Sequence, residues 1–329
     1  MNQELVDVIV RMAGCRILIV GDVVADIYLL GRISRISREA PVLVLEQAKK
    51  KIVAGGAANV VNNVATLGGA AYAAGLVGED SNAEGLKEIL AKNGAHTEGL
   101  LADTSRPTIS KTRVIAGGRA TVSQQIVRVD NESHEPVSAE QEERLLAYLQ
   151  SVLPEMQGLV LSDYGSGTVT PRVREFLISY AREHDVPSIV DSRYDVQSFH
   201  GIGYVKQNDS ELAAAVGRRL DNEAELVAAG RELLEKLEAK GVLVTRGEQG
   251  MTLLEADGAV HHIPVSDRSE VYDVSGAGDT CVATVILALA AGAEPRLAAT
   301  LSNFASGIAV RKMGTATVSA EELRRAVLR

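Results

Sequence analysis

The sequence predicts an α/β fold: a mostly parallel central sheet with helices on both faces, and a small second sheet projecting from it. Three observations lead there. Short apolar runs end in a carboxylate or a turn residue, as buried parallel strands do. Amphipathic stretches of helical period alternate with those runs. Two further segments are rich in Val, Ile and Thr, with no helical stretch between their strands.

Arg16-Ile-Leu-Ile-Val-Gly21-Asp22 reads as the first buried strand, with Asp22 at its carboxyl end. Gly158-Leu-Val-Leu-Ser-Asp163, Ser188-Ile-Val-Asp191 and Val242-Leu-Val-Thr245 repeat the pattern. Residues 171–184, 222–240 and 276–291 supply helical stretches. Ligands on such sheets sit at the carboxyl ends of the strands, where Asp22, Asp163 and Asp191 fall. Segments 33–47 and 108–129, the second with a Gly117-Gly118 turn, form the projecting sheet. About 31–48 and 108–129 are expected to act as a lid over the carboxyl edge. No repeat, low-complexity tract or long linker divides the chain, so one domain over 1–329 is expected.

Composition narrows the classes. Aromatics are 3% with no Trp, so Ala, Val, Leu and Ile must build the core. A net charge of −9 argues against nucleic acid as a partner but leaves room for local phosphate binding through backbone N–H groups. Two cysteines, Cys15 and Cys281, exclude a disulfide framework and read as free thiols of a reducing cytoplasm. The first ten residues carry Glu4 and Asp7 and no basic region, unlike a signal peptide. The longest apolar run, 281–291, falls short of the about 20 residues a membrane span needs. A cytoplasmic protein with no membrane partner is expected.

The strongest local pattern is Asp273-Val-Ser-Gly276-Ala-Gly278-Asp279-Thr280, which runs directly into that apolar segment. Small residues opening a helix leave their N–H groups unobstructed, and the helix dipole adds partial positive charge; together these make an anion site. Asp279 within it suits a general base that deprotonates an attacking hydroxyl while the N–H groups hold a transferring phosphoryl. Capping the helix is the other role open to it.

Ala54-Gly55-Gly56-Ala-Ala-Asn59 enters a helix that closes at Gly68-Gly69. Its glycine pair either admits a ligand, with the Asn59 amide beside it, or packs helix tightly on sheet. Asn208-Asp209-Ser210-Glu211 begins a helix after the strand Tyr204-Val-Lys-Gln207. Asn208 and Glu211 either form a capping box or hold hydrated Mg2+ and nucleotide phosphates. Thr245-Arg246-Gly247-Glu248-Gln249-Gly250 reads as a hairpin turn, and near a nucleotide as part of a purine pocket. Arg32, Arg35, Arg38, Lys111 and Arg113 concentrate positive charge in the lid, suited to a distal phosphate or to a solvated face. No phosphate-binding loop of the G-x-x-x-x-G-K-[ST] type, dinucleotide fingerprint or nucleophile elbow occurs. His261 and His262 are adjacent on a strand and point to opposite faces, which speaks against a shared metal.

Taken together, Gly55-Gly56…Asn59, Asn208…Glu211 and Gly276-Ala-Gly-Asp279 resemble the ribokinase/PfkB family of carbohydrate kinases, in order and spacing over nearly the whole chain. The resemblance implies a ribokinase-like three-layer α/β/α fold with a β-lid, using ATP and Mg2+ to phosphorylate a sugar hydroxyl. It implies that Asp279 is the catalytic base and that Gly276, Ala277 and Gly278 form the anion hole. It implies sugar contacts from Asp22, Asp26, Gly55, Gly56, Asn59, Lys111, Asp163 and Arg193. Asn208, Glu211, Thr245, Gly247, Gly250 and Asn303 would serve the nucleotide, Glu211 holding Mg2+ through water. Asp273 and Ser275 would lie beside a monovalent cation such as K+. Independently of the resemblance, an isolated small sheet leaves an apolar face and edges exposed, so two chains are expected to pair through their lids as a homodimer.

Within the family, Ser34-Arg-Ile-Ser-Arg-Glu-Ala-Pro-Val42, Val160-Leu-Ser-Asp-Tyr164, Leu243-Val-Thr-Arg-Gly-Glu-Gln-Gly-Met251, Val271-Tyr-Asp-Val-Ser-Gly-Ala-Gly-Asp-Thr280 and Met313-Gly-Thr-Ala-Thr-Val-Ser319 are similar to heptose 7-phosphate kinases. That implies phosphorylation of the anomeric hydroxyl of D-glycero-β-D-manno-heptose 7-phosphate to the 1,7-bisphosphate, for ADP-heptose biosynthesis. The chain departs at Asp191-Ser192-Arg193, where those enzymes read Asp-Pro-Lys, and at Gln207-Asn208, where they read Pro-Asn. The His-x-Gly-His motif of the adenylyltransferase often fused to such kinases does not occur, so a kinase domain alone is expected. A kinase of ribose, fructose or a hexose phosphate and a non-catalytic sugar- or nucleotide-binding regulator are the alternatives.

Overall fold

The computed structural model describes residues 2–117, 123–133, 135–266 and 271–329. In chain order the strands are β1 (Arg16–Gly21), β2 (Val23–Ile36), β3 (Leu43–Gly56), β4 (Ala70–Val77), β5 (His96–Ala102), β6 (Ile109–Gly117), β7 (Gln124–Asn131), β8 (Gly158–Asp163), β9 (Ser188–Ser192), β10 (Tyr204–Asn208), β11 (Gly241–Thr245), β12 (Met251–Glu255) and β13 (Val260–Ile263). The helices are α1 (Asn2–Met12), α2 (Ala57–Thr66), α3 (Ser81–Lys92), α4 (Ala139–Val152), α5 (Pro171–Glu183), α6 (Asp209–Val216), α7 (Glu223–Leu237), α8 (Ala277–Ala290), α9 (Pro295–Ala309) and α10 (Ala320–Leu328).

Nine strands form one sheet in the order β13-β12-β11-β10-β9-β8-β1-β4-β5. It is parallel from β5 to β11, and β12 and β13 add antiparallel strands at one edge. Successive β1 side chains point to opposite faces. Ile17 and Ile19 enter a core built with α1, α2, α3, α8, α9 and α10. Leu18 and Val20 enter a second core built with α4, α5, α6 and α7. The predicted three layers are therefore present. The chain leaves β1 towards β4 and β5, then returns on its other side to β8. That reversal opens a crevice at the carboxyl ends of β1 and β8, where a ligand is expected on such sheets.

Helix α8 carries the Gly-Ala-Gly-Asp pattern into this crevice. Every residue from 279 to 289 is buried, which explains its apolar surface all round. No helix among the described residues is long and apolar enough to cross a membrane.

The projecting sheet has the order β3-β2-β6-β7. Its first two strands root deeper than the sequence reading placed them. β2 starts at Val23 rather than near 31, and β3 ends at Gly56 rather than near 48. The cause is burial: Val23, Val24, Ala25 and Ile27 lie in the core, and exposure begins only beyond them. In the 108–129 segment, Gly118 and the rest of 118–122 lie outside the described residues.

Candidate active site

Gly276 caps α8 with φ of 79°, and Asp279 is the third residue of the helix. Asp279 makes no capping bond, so that alternative falls. Its carboxylate faces sideways instead. Asn59 Nδ2 of α2 donates to Oδ2 at 2.7 Å, and the Tyr164 hydroxyl donates to Oδ1 at 3.0 Å. Gly276 is required here twice over: its φ is left-handed, and a Cβ would stand 2.6 Å from Asn59 Nδ2. A Cβ on Gly278 would stand 2.8 Å from Lys206 Nζ.

The free N–H groups at the helix start differ by one from the expected set. Ala277 donates to Val274 O at 3.3 Å, so its N–H is turned inward. Those of Gly276, Gly278 and Asp279 have no acceptor among the described residues. The first turn of a helix leaves such donors unpaired, which suits an anion.

Two cavities meet at this point, sharing Val274 and Gly278. One, of 330 Å³, is lined by charge: Asp163, Asp191, Glu211 and Asp279 against Arg193 and Lys206. Tyr164 completes its wall. The other, of 680 Å³, is lined by Thr245, Gly247, Gly250 and Asn303 with Ala277, Val265, Val271 and Val310. The 245–250 segment is thus both a hairpin turn between β11 and β12 and a cavity wall.

The electrostatics follow from burial. Burial drives the Asp279 carboxyl up to about 7, with the charge of Asp191 adding to it; Asn59, Tyr164 and Lys206 hold it back. The negative charge of Asp279 and then burial push the Tyr164 phenol well above its ordinary value. Burial works against the Lys206 ammonium, but Asp191 at 2.9 Å and Glu211 at 4.0 Å outweigh it and hold its pKa high. Burial also raises the Asp163 carboxyl, which accepts from Ser192 Oγ at 2.7 Å and Gly165 N at 3.0 Å.

Asn208 and Glu211 form the capping box of α6, each backbone N–H donating to the other side chain at 2.8 Å. Glu211 still borders the charged cavity. Among the described residues no group of three metal-ligating side chains converges. This donor set fits Mg2+ held through water and phosphate oxygens rather than in a protein cage.

Several expected sugar contacts are placed otherwise. Asp22 is fully buried, its carboxylate accepting from the N–H groups of Tyr164 (2.9 Å), Ser166 (3.0 Å) and Thr168 (3.1 Å). It anchors the loop after β8 and presents nothing to a ligand. Asn59 is likewise fully buried and spends its amide on Asp279. Gly55 and Gly56 serve close packing: a Cβ on Gly55 would meet Asp26 Oδ2 at 2.5 Å, and one on Gly56 would meet Asp22 O at 2.6 Å. Asp26 is paired with Arg113 at the root of the lid. Asp273 accepts from the N–H groups of Ser275 and Gly314, one on each oxygen at 2.9 Å, and so ties a loop beside the helix start. Arg32 pairs with Glu46 on the exposed lid, and none of Arg32, Arg35 and Arg38 lines either cavity. Lys111 lines neither cavity, but its Nζ lies 5.8 Å from the centre of the Tyr164 ring, which walls the charged one.

Sequence reasoning singled out neither Tyr164 nor Lys206 as a site residue. Lys206 carried a signal: a lysine inside a buried strand needs a charged partner at a site. Tyr164 carried a weaker one, its place directly after a strand-end carboxylate.

This geometry defines a phosphoryl-transfer site of a sugar-kinase type, and the chain belongs to the pfkB family of carbohydrate kinases, whose model matches residues 16–323. It is 41% identical over 316 residues to the bifunctional protein HldE of Granulibacter bethesdensis, covering 94% of this chain and 64% of that protein. It is 41% identical over 307 residues to HldE of Geobacter metallireducens, covering 93% and 61%. The chain thus spans about three fifths of the length of these relatives. In fold it resembles phosphofructokinase-2 of Escherichia coli in complex with substrates and products (TM-score 0.76, 21% identity, 96% and 99% covered). It also resembles ribokinase of Arabidopsis thaliana complexed with ribose and ATP (TM-score 0.72, 21% identity, 96% and 98% covered).

Proposed function

We propose that the chain is an ATP- and Mg2+-dependent kinase of D-glycero-β-D-manno-heptose 7-phosphate, acting in the cytoplasm on the anomeric hydroxyl to give the 1,7-bisphosphate for ADP-heptose synthesis. The observation that carries the kinase reading is Asp279, a buried carboxylate set beside free helix N–H groups where two cavities meet. The 680 Å³ cavity takes the nucleotide, its apolar wall against the base. The charged cavity takes the transferring phosphoryl.

Asp279 accepts the proton of the acceptor hydroxyl as that oxygen bonds to the γ-phosphorus and the bond to the bridging oxygen of ADP breaks. The N–H groups of Gly276, Gly278 and Asp279 hold the transferring oxygens, and Lys206 and Arg193 supply positive charge from the cavity wall. Glu211 would hold Mg2+ through water, and the ion would neutralise charge on the phosphates. A phosphorylated acceptor is favoured by Lys111, whose ammonium lies over the Tyr164 ring at the cavity wall. The heptose rests on the segments similar to heptose 7-phosphate kinases.

The test is phosphorus NMR and mass spectrometry of purified protein with Mg-ATP and heptose 7-phosphate, fructose 6-phosphate, ribose or fructose. A product one phosphate heavier from heptose 7-phosphate alone, with an anomeric phosphorus signal, is expected. Transfer to another sugar refutes the heptose assignment, and transfer to none refutes the kinase.

A further inference from the structure

We infer that Tyr164 is the positioning residue of the proposed base: its hydroxyl aims the Asp279 carboxylate, and the buried Asp22 acts on the reaction by holding the loop that carries Tyr164. The inference deepens the kinase reading and rests on it.

The loop after β8 is held at every turn. Asp22 accepts from the N–H groups of residues 164, 166 and 168, and Asp163 accepts from Gly165. Gly165 and Gly167 have φ of 79° and 94°, which lets the chain curl around one carboxylate. A loop pinned by four N–H groups has one way to direct its tyrosine, and that way is across the cavity to Asp279 Oδ1. Asn59 holds Oδ2 from the opposite side. With a donor on each oxygen, rotation of the carboxylate about its Cβ–Cγ bond breaks both bonds at once. Each oxygen keeps a second lone-pair direction, so Oδ1 can still take a proton from an acceptor hydroxyl.

The groups facing Asp279 come from every element around it: Asn59 on α2, Tyr164 on the loop, Asp191 on β9 and Lys206 on β10, with Glu211 behind Lys206 and Arg193 beside Tyr164. Asp191 and burial oppose ionisation, whereas Asn59, Tyr164 and Lys206 favour it. Removing the phenol donor alone leaves the carboxylate less stabilised and free to turn.

The experiment compares wild type with Tyr164→Phe, which keeps the ring, in protein labelled with 13C at the aspartate carboxyl. The Asp279 resonance is identified by its loss in Asp279→Asn. In Tyr164→Phe its titration midpoint should rise by about one pH unit. The acid limb of kcat/KM should move up with it, and kcat at neutral pH should fall roughly 10- to 100-fold with sugar KM little changed. A purely structural tyrosine would lower Tm and leave midpoint and limb where they were, and that result overturns the inference. Asp22→Asn, which weakens the loop anchor, should move the midpoint in the same direction. If wild type transfers phosphoryl to no sugar, the kinase reading fails while the NMR midpoint still decides whether Tyr164 holds Asp279.

Discussion

Asp279→Asn separates two consequences of burying one carboxylate. Wild-type Asp279 has its pKa raised from 3.8 to about 7, chiefly by burial. Between those values the folded state keeps a proton that the unfolded chain has released. Wild-type stability therefore falls as pH rises from 3.8 to about 7, and is constant above. Asparagine does not titrate, so the variant escapes this loss. Its carbonyl can accept from Asn59, and its amide can donate to the Tyr164 oxygen, so both neighbours keep a partner. From the two pKa values, the advantage of the variant should grow by about 2 kcal/mol between pH 5.5 and 8.5. For a chain of 329 residues that is a relative gain in Tm of about 3 °C. Scanning calorimetry of both proteins at both pH values measures it, and titrating groups that do not interact with Asp279 cancel in the difference. At pH 8.5, where wild-type Asp279 is ionised, phosphoryl transfer by the variant should be lower by roughly 100- to 10,000-fold, because general-base catalysis is lost. A Tm difference equal at both pH values would show that Asp279 is already ionised at pH 5.5, and the argument from burial would fail. Undiminished transfer would remove Asp279 as the base.

Two further outcomes follow from the lid. Lys111→Ala should raise KM for a phosphorylated sugar by roughly 10- to 100-fold, the worth of one charged hydrogen bond, with KM for ATP unchanged; steady-state kinetics with both substrates varied checks it, and an unchanged sugar KM removes Lys111 from the phosphate. The lid sheet exposes Ile36, Val42, Leu43, Val127 and Val129, each at least 44% accessible, so pairing of two lids should give a species of twice the 34.8 kDa chain mass in sedimentation velocity at micromolar concentration. A single species at chain mass refutes that pairing.

What the sequence disclosed about this molecule depended on how far apart the partners lie. The parallel strands and α8 were legible because apolar runs and a glycine-rich helix start are local signals. Asn208 and Glu211 were legible as a capping box for the same reason: three residues separate them. The root of the lid was not, because Val23 to Ile27 has the same apolar character as a core strand and leaves the core only further on. The arginines of the lid misled because charge counts do not say which way a strand face points.

The carboxylates at the strand ends make the sharper case. Asp22, Asp163 and Asp191 look alike in sequence, each closing an apolar run, yet they end in different chemistry. Asp22 meets three backbone N–H groups about 140 positions away and is consumed by them. Asp191 meets the ammonium of Lys206 and stays at a cavity wall. Asp279 meets two donors, one of them 220 positions distant in sequence, and keeps capacity for a third. A carboxylate becomes an anchor when buried N–H groups take most of its lone pairs, and stays available to a substrate when they do not. That count is set by long-range packing, so the sequence could point to the residues that matter but not divide anchor from base.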